Sequence, residues 1–348
     1  MSETAATGGT CDAGMILAGD VGGTHTRLAL FEVRDGKFAS SVEEIYPSAK
    51  YKSLEDIIDI FLKAHPAKLE SAAVGIAGPI RDGRCVATNL PWIIDTKVII
   101  GRIGIQNVAL LNDLEANAYG IATLGPEDFA VIYPGAAGAA GAKGNVAIVS
   151  PGTGLGKAGM YFDGADHHPF ATEGGHTSFA PENELQAELY AFLAKRYGHV
   201  SCERILSGPG LVNLFEFFRD AKGVEVPEEL AQAMKAGDAA AAISKSAMSG
   251  TAGIASSALD LFVQCFGAEC GNFALNILAA GGVYLGGGIP PRILPKLRDG
   301  AFVDAFLAKG RMRPLLEAAP VRVILNDSAA LRGAARGAWL RFGKSAHV

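Results

Sequence analysis

The feature that most constrains this chain is a glycine turn set between two apolar runs. Residues 17–30 read LAGDVGGTHTRLAL, a short strand ending in an Asp-x-Gly-Gly-Thr turn and a second strand leaving it. The glycines let backbone N–H groups come close to a ligand because no side chain stands in the way. A nest of such donors holds phosphate oxygens. Asp20 beside them would repel a phosphate unless a cation sat between the two, so the turn points to a nucleotide carried with Mg²⁺. Taken alone, the segment also reads as an ordinary hairpin.

The unit recurs. Val146–Ser150 is an apolar strand, Pro151-Gly152-Thr153-Gly154-Leu155-Gly156 a second glycine turn, and Lys157–Phe162 a returning strand. Two copies of strand, turn and strand predict two related lobes with a ligand in the cleft between them. Gly154-Leu155-Gly156-Lys157-Ala158-Gly159 matches the dinucleotide fingerprint G-x-G-x-x-G, which requires a helix to start at the turn. Here Met160-Tyr161-Phe162 continues as strand, so NAD binding is rejected. No G-x-x-x-x-G-K-[ST] occurs, which excludes a P-loop enzyme.

Around these turns strand and helix signals alternate. Lys37–Tyr46 reads as a strand, and Leu54–His65 as a helix capped by Ser53. Ala72–Ala77 and Val108–Leu111 read as buried parallel strands, with a helix from about Leu114 to Leu124. Beyond the low-complexity run Gly135–Gly144, helices are predicted at Glu184–Tyr197, Gly210–Phe218, Ala252–Phe266 and Asn272–Leu278. Strands follow at Val283–Gly287 and Val321–Leu325, and a last helix runs from about Ser328 to Leu340. This is an α/β pattern, a sheet in each lobe with helices on its faces.

Composition narrows the function classes. The chain has 348 residues, 49% hydrophobic and 19% charged, enough for two domains. A net charge of −5 without a basic run argues against nucleic acid as a partner. Residues 1–14 read as a disordered polar tail, with no signal peptide. The apolar stretch 277–294 is broken by glycines and prolines and does not read as a membrane span. Five cysteines with no Cys-x-x-Cys pair read as free thiols, and a cytoplasmic location is expected.

Three further groups carry chemistry. Asn112-Asp113 sits where a strand gives way to a helix, the place where ligands collect in open α/β sheets. Asp113 reads either as a helix cap or as the carboxylate that takes a proton from an attacking hydroxyl. An aspartate is a weak base, with an ordinary pKa of about 4. That suffices for phosphoryl transfer, whose loose transition state lets the proton leave late. Glu173-Gly174-Gly175-His176 is a loop offering a strong acceptor and a donor, the mixture a polyol requires. A metal site with His167 and His168 competes, but lacks a cysteine or second carboxylate at ligand spacing. Glu203 reads by default as a solvated acid near a helix start.

Six motifs then occur in a recognisable order: Asp20–Thr24, Leu111-Asn112-Asp113, Gly152–Gly156, Glu173–His176, Ser201–Gly208 and Gly281–Ile289. The chain resembles the bacterial ATP-dependent glucokinases from about Met15 to its last helix. The resemblance implies a two-lobed actin-like (ribonuclease H-like) fold, with the active site in the interlobe cleft. A small lobe of 15–112 plus 322–348 and a large lobe of 113–321 are expected. It implies transfer of the γ-phosphoryl group of Mg·ATP to the 6-hydroxyl of glucose, with Asp113 as base. Asn89, Asn112, Asp113, Glu173, His176 and Glu203 fall on glucose-contacting positions. Gly22, Gly23, Thr24, Gly152, Thr153 and Gly154 would hold phosphates, Asp20 an indirectly bound Mg²⁺, and Gly286 and Gly287 the adenosine end. A homodimer is expected, with no nucleic-acid or membrane partner. The related repressor, open-reading-frame and kinase family carries a zinc motif of cysteines after its Gly-His. Gly175-His176 is followed by none, so no zinc is expected. A kinase for another hexose and a non-catalytic sugar-binding module are the alternatives.

Overall fold

The computed structural model describes residues 14–34, 36–88, 90–136 and 143–343. The 1–14 tail except for residue 14, the centre of the Gly/Ala run, and Asn89 lie outside these. The chain divides into two compact units, one comprising Met1–Leu124 and Ser328–Val348, the other Gly125–Asp327.

The first unit opens with β1 (Met15–Val21), β2 (His25–Arg34) and β3 (Lys37–Pro47). Helix α1 (Leu54–Ala64) follows, with the Ser53 side chain accepting from the Asp56 N–H as a cap should. Next come β4 (Leu69–Ile76), a small three-stranded sheet of β5 (Ile80–Arg81), β6 (Arg84–Val86) and β7 (Ile93–Asp95), α2 (Thr96–Ile103), β8 (Val108–Asn112) and α3 (Asp113–Ile121). The main sheet has the order β3-β2-β1-β4-β8. Strands β1 to β3 form an antiparallel meander, while β1, β4 and β8 run parallel. Side chains alternate across the sheet. Leu17, Leu28 and Val74 join Ile57, Ile58 and Phe61 of α1 in one core cluster, whereas Ile16, Ala18, Ala73 and Ala109 belong to a second.

The second unit contains β9 (Phe129–Tyr133), β10 (Val146–Pro151), β11 (Leu155–Phe162) and β12 (His167–Thr172). Helices α4 (Glu184–Tyr197), α5 (Gly208–Asp220), α6 (Glu228–Ala236), α7 (Ala239–Ser249) and α8 (Gly253–Ile277) follow. Then come β13 (Gly282–Leu285), α9 (Leu294–Leu297), α10 (Ala301–Leu307), α11 (Arg313–Ala318) and β14 (Val321–Ile324). Its sheet runs β12-β11-β10-β13-β14-β9. As in the first unit, an antiparallel hairpin is extended by a parallel strand, β13 on β10. The C-terminal helix α12 (Ala329–Phe342) belongs to the first unit and lies against α3. A methyl group on Gly333 would come within 1.7 Å of the Ala116 carbonyl oxygen, and one on Gly120 within 2.1 Å of that of Ala329.

One predicted break is absent. Ala252–Phe266 and Asn272–Leu278 are parts of the single 25-residue helix α8. Its interior Gly267 and Gly271 lower local helix propensity, by about 1 kcal/mol each. They also let α10 lie directly on the helix: a methyl group on Gly267 would sit 2.2 Å from the Phe302 carbonyl oxygen, and one on Gly271 2.6 Å from that of Phe306. Phe302 and Phe306 are fully buried as a result. At about 1.5–3 kcal/mol for each such side chain, that burial outweighs the propensity cost.

Candidate active site

In the first unit the strand register assembles the site. Val21 lies opposite Ile76, and Ile76 opposite Asn112. The Asp20–Thr24 turn and Asn112-Asp113 therefore share one end of the sheet, the carboxyl end of three parallel strands. The turn is closed by the Gly22 N–H donating to the His25 carbonyl at 2.9 Å. Ser48, which is buried, braces it from below: its Oγ donates to the Gly22 carbonyl at 2.8 Å and its N–H to that of Thr24 at 2.9 Å.

The helix-cap reading of Asp113 is corrected here. The cap is Asn112, whose Oδ1 accepts from the Leu114 N–H at 3.0 Å. Asp113 is the first helical residue and half-buried. Capping from the preceding residue satisfies an orphan N–H of α3. Burial, and after it the charge of Asp113, raises the Cys85 thiol pKa.

The second unit gathers its predicted residues more tightly. At the second glycine turn the Gly152 N–H donates to the Gly154 carbonyl at 2.8 Å. Glu203, in a short 3-10 turn, accepts from the Leu155 N–H through Oε2 at 2.9 Å. The default reading of Glu203 as a solvated acid therefore fails. A methyl group on Gly175 would come within 1.9 Å of the Leu155 carbonyl oxygen, so the Glu173–His176 loop rests on the strand leaving the turn. Glu173 and His176 are exposed, with Nε2 4.0 Å from Oε2. The His176 carbonyl faces Nε2 of His199 at 3.0 Å. Gly287 has φ +78 and packs so tightly that a methyl group would lie 2.4 Å from the Pro151 carbonyl oxygen. Gly286 donates to the Val149 carbonyl at 3.0 Å.

Beside this turn opens a cavity of about 550 Å³, within the range of small-molecule sites. Gly152 and Thr153 line it together with Gly208, Asp238, Ser244, Gly288 and Arg292. Gly208 and Gly288 fall within the named motifs Ser201–Gly208 and Gly281–Ile289; sequence reading misses Asp238, Ser244 and Arg292. Asp238 and Ser244 come from α7 and its cap, a helix whose small residues carried no motif. The open space over Gly152 is informative. Its φ is not positive, and no described atom lies within 4 Å of where a methyl group would stand. The same holds for Gly288. Folding does not require glycine at either position, and the bare backbone leaves room there for the close approach of a ligand.

The Cys202 thiol, next to Glu203, is pushed up to about 11, chiefly by burial and then by the charge of Glu269. It is a packing thiol and not a nucleophile. Among the described residues no cluster of three or more His, Cys, Asp or Glu is placed to hold a metal. Mg²⁺ needs no such cluster, since it binds through one or two carboxylates with substrate phosphates and waters. Asp20, at the end of β1 beside the turn glycines, fits that pattern.

The family model for glucokinase matches residues 17–340. The chain belongs to the glucokinase family. A glucokinase of Trichormus variabilis is 39% identical over 92% of this chain and 98% of its own length. Among solved structures, a glucokinase from an Antarctic psychrotroph is 32% identical with a TM-score of 0.81, covering 93% of this chain and 98% of that one. A glucokinase from Balamuthia mandrillaris in complex with glucose has a TM-score of 0.75 at 21% identity, over 94% and 95% of the two chains, a likeness of fold. The α/β fold is thus the actin-like fold of the glucokinases and their sugar-kinase relatives.

Proposed function

We propose that this chain transfers the γ-phosphoryl group of ATP to the 6-hydroxyl of glucose, releasing glucose 6-phosphate and ADP. Membership of the glucokinase family makes it an ATP-dependent glucose kinase; the roles of individual residues are our reading. Asp113 orients the 6-hydroxyl and accepts its proton as the O6–phosphorus bond forms and the bond to the β-phosphate oxygen breaks. Asn112, Glu173, His176 and Glu203 bind the other sugar hydroxyls, the carboxylates as charged acceptors. The Gly22–Thr24 and Gly152–Gly154 turns supply N–H donors to the phosphates. The adenosine end occupies the cavity lined by Gly152, Gly288 and Arg292 and bounded by α7.

Asp20, with the nucleotide's phosphates, would hold Mg²⁺, which would supply charge neutralisation there. We further place the enzyme in the cytoplasm as a homodimer; among the described residues no helix is long and apolar enough to cross a membrane.

The observation that carries this reading is the pair of glycines, Gly152 and Gly288, that line a cavity without any demand from the fold. The test of the chemistry is Asp113→Ala. Loss of a general base lowers kcat by about 10²–10⁴-fold, with the thermal transition retained. Near-normal turnover in a coupled ADP-release assay would overturn the assignment of the base.

A further inference from the structure

Under the sugar-binding residues of the second unit lies an ion pair that the roles above do not use. Lys157 directly follows the glycine turn, on β11, and its side chain is 3% exposed. Its ammonium pairs with Glu269 of α8, itself 13% exposed, and lies 5.7 Å from the centre of the Phe273 ring. Two buried ions gain little net stability, because desolvation offsets their attraction and an apolar pair of similar volume packs as well. What such a pair does supply is fixed geometry.

The geometry concerns two substrate-facing segments at once. The Lys157 stem lies under the sugar loop: a methyl group on Gly174 would be 3.0 Å from Lys157 Cδ. The backbone ties agree. Thr172 Oγ1 donates to the Lys157 carbonyl at 2.9 Å and accepts from the Gly174 N–H at 3.1 Å. On the other side, Glu269 takes a hydrogen bond from Asn272 Nδ2 at 3.2 Å, and after burial its charge is what raises the Cys202 thiol pKa. Cys202 immediately precedes Glu203, and its N–H donates to the Thr177 carbonyl at 2.9 Å, which closes the circuit back to the sugar loop.

We propose that the Lys157–Glu269 pair is a positioning element for glucose, holding the Glu173–His176 loop and Glu203 in register with one another. The proposal rests on the reading of Glu173, His176 and Glu203 as sugar contacts. Lys157 and Glu269 act through those residues and touch no substrate.

The experiment replaces both ions by apolar residues, Lys157→Met with Glu269→Leu, so that no lone charge is left buried. Thermal melting and the separate KM values for glucose and ATP are measured beside Glu173→Ala. The expected result is an unchanged or raised melting temperature, a glucose KM raised about tenfold or more, and an ATP KM within about twofold of the parent. A glucose KM equal to the parent's overturns the proposal, as does an equal rise in both KM values. Should the double variant not fold, Glu269→Gln is read against the same criteria. The control separates two failures. If Glu173→Ala raises the glucose KM and the pair variant does not, the positioning role alone falls. If Glu173→Ala changes nothing, the assignment of the sugar site falls first.

Discussion

The two glycine hairpins occupy equivalent places in their sheets, yet they are supported in different ways. In both, an antiparallel strand pair is flanked by a parallel strand, β4 in one unit and β13 in the other. The first turn is braced locally by neutral groups. Ser48, just after the meander, bonds the carbonyls of Gly22 and Thr24, and its buried hydroxyl meets that of buried Thr26 at 3.0 Å. The second turn is braced from afar by residues that carry other duties. Glu203 holds the Leu155 N–H, the Gly208 N–H donates to the Gly152 carbonyl at 2.8 Å, and Gly175 sits against Leu155. A locally braced turn is insulated from the proposed sugar contacts. A turn braced by Gly175 and Glu203 is mechanically joined to them.

This contrast predicts that breaking a bond made to the second turn itself affects both substrates, whereas loss of the Lys157–Glu269 pair, which bonds neither turn, affects glucose alone, and loss of the Ser48 brace affects stability. The largest effect is expected for Gly175→Ala. The added methyl group cannot coexist with the Leu155 carbonyl, and the sugar loop must move, lowering kcat/KM for glucose by about 10²-fold. A variant with normal kinetics would break the comparison outright. Next in size, Glu203→Gln replaces a charged acceptor by a neutral one at the Leu155 N–H. Hydrogen bonds to charged groups contribute about 1.5–3 kcal/mol, so the KM values of glucose and ATP should rise together by about tenfold. A rise in the glucose KM alone would show that the bond to Leu155 does not couple the two.

Gly152→Ala sharpens the comparison further, because the fold has room for the methyl group and the nucleotide does not. An overpacking cost of about 1–3 kcal/mol should appear as an ATP KM raised about tenfold, with the melting temperature unaltered. A fall in melting temperature without a change in ATP KM would assign Gly152 to the fold. The smallest kinetic effect is expected for Ser48→Ala. It removes the partner of the half-buried Gly22 carbonyl and of the buried Thr26 hydroxyl, at about 1–3 kcal/mol, so the melting temperature drops by a few degrees while both KM values stay near those of the parent.

Much of this could be read along the chain. The hairpins, the parallel strands after them, the Ser53 cap and the order of motifs are local patterns of period and punctuation. Two of the three misreadings arise where a distant residue decides the outcome; the third, at Asp113, turns on its own neighbour. Gly267 and Gly271 look like a helix break until α10 is seen packed on them. Asp113 looks like a cap until Asn112 takes that bond. Glu203 looks solvated until Leu155, far from it in sequence, presents its N–H. The cavity walls from α7 bear alanines and a serine, residue types without a chemical signature.

The amino-acid order alone therefore determined which segments become strands and helices, where the chain must turn on glycine, and which side chains can do phosphoryl-transfer chemistry. Those properties depend on a residue and its near neighbours. Only the tertiary structure decided what each acid and base is bonded to. It put Lys157 against Glu269 in a buried site, stood Glu203 on the second turn, and left open space above Gly152. The reason is that desolvation and close packing act between surfaces brought together from remote parts of the chain, and no local pattern encodes which surfaces those are.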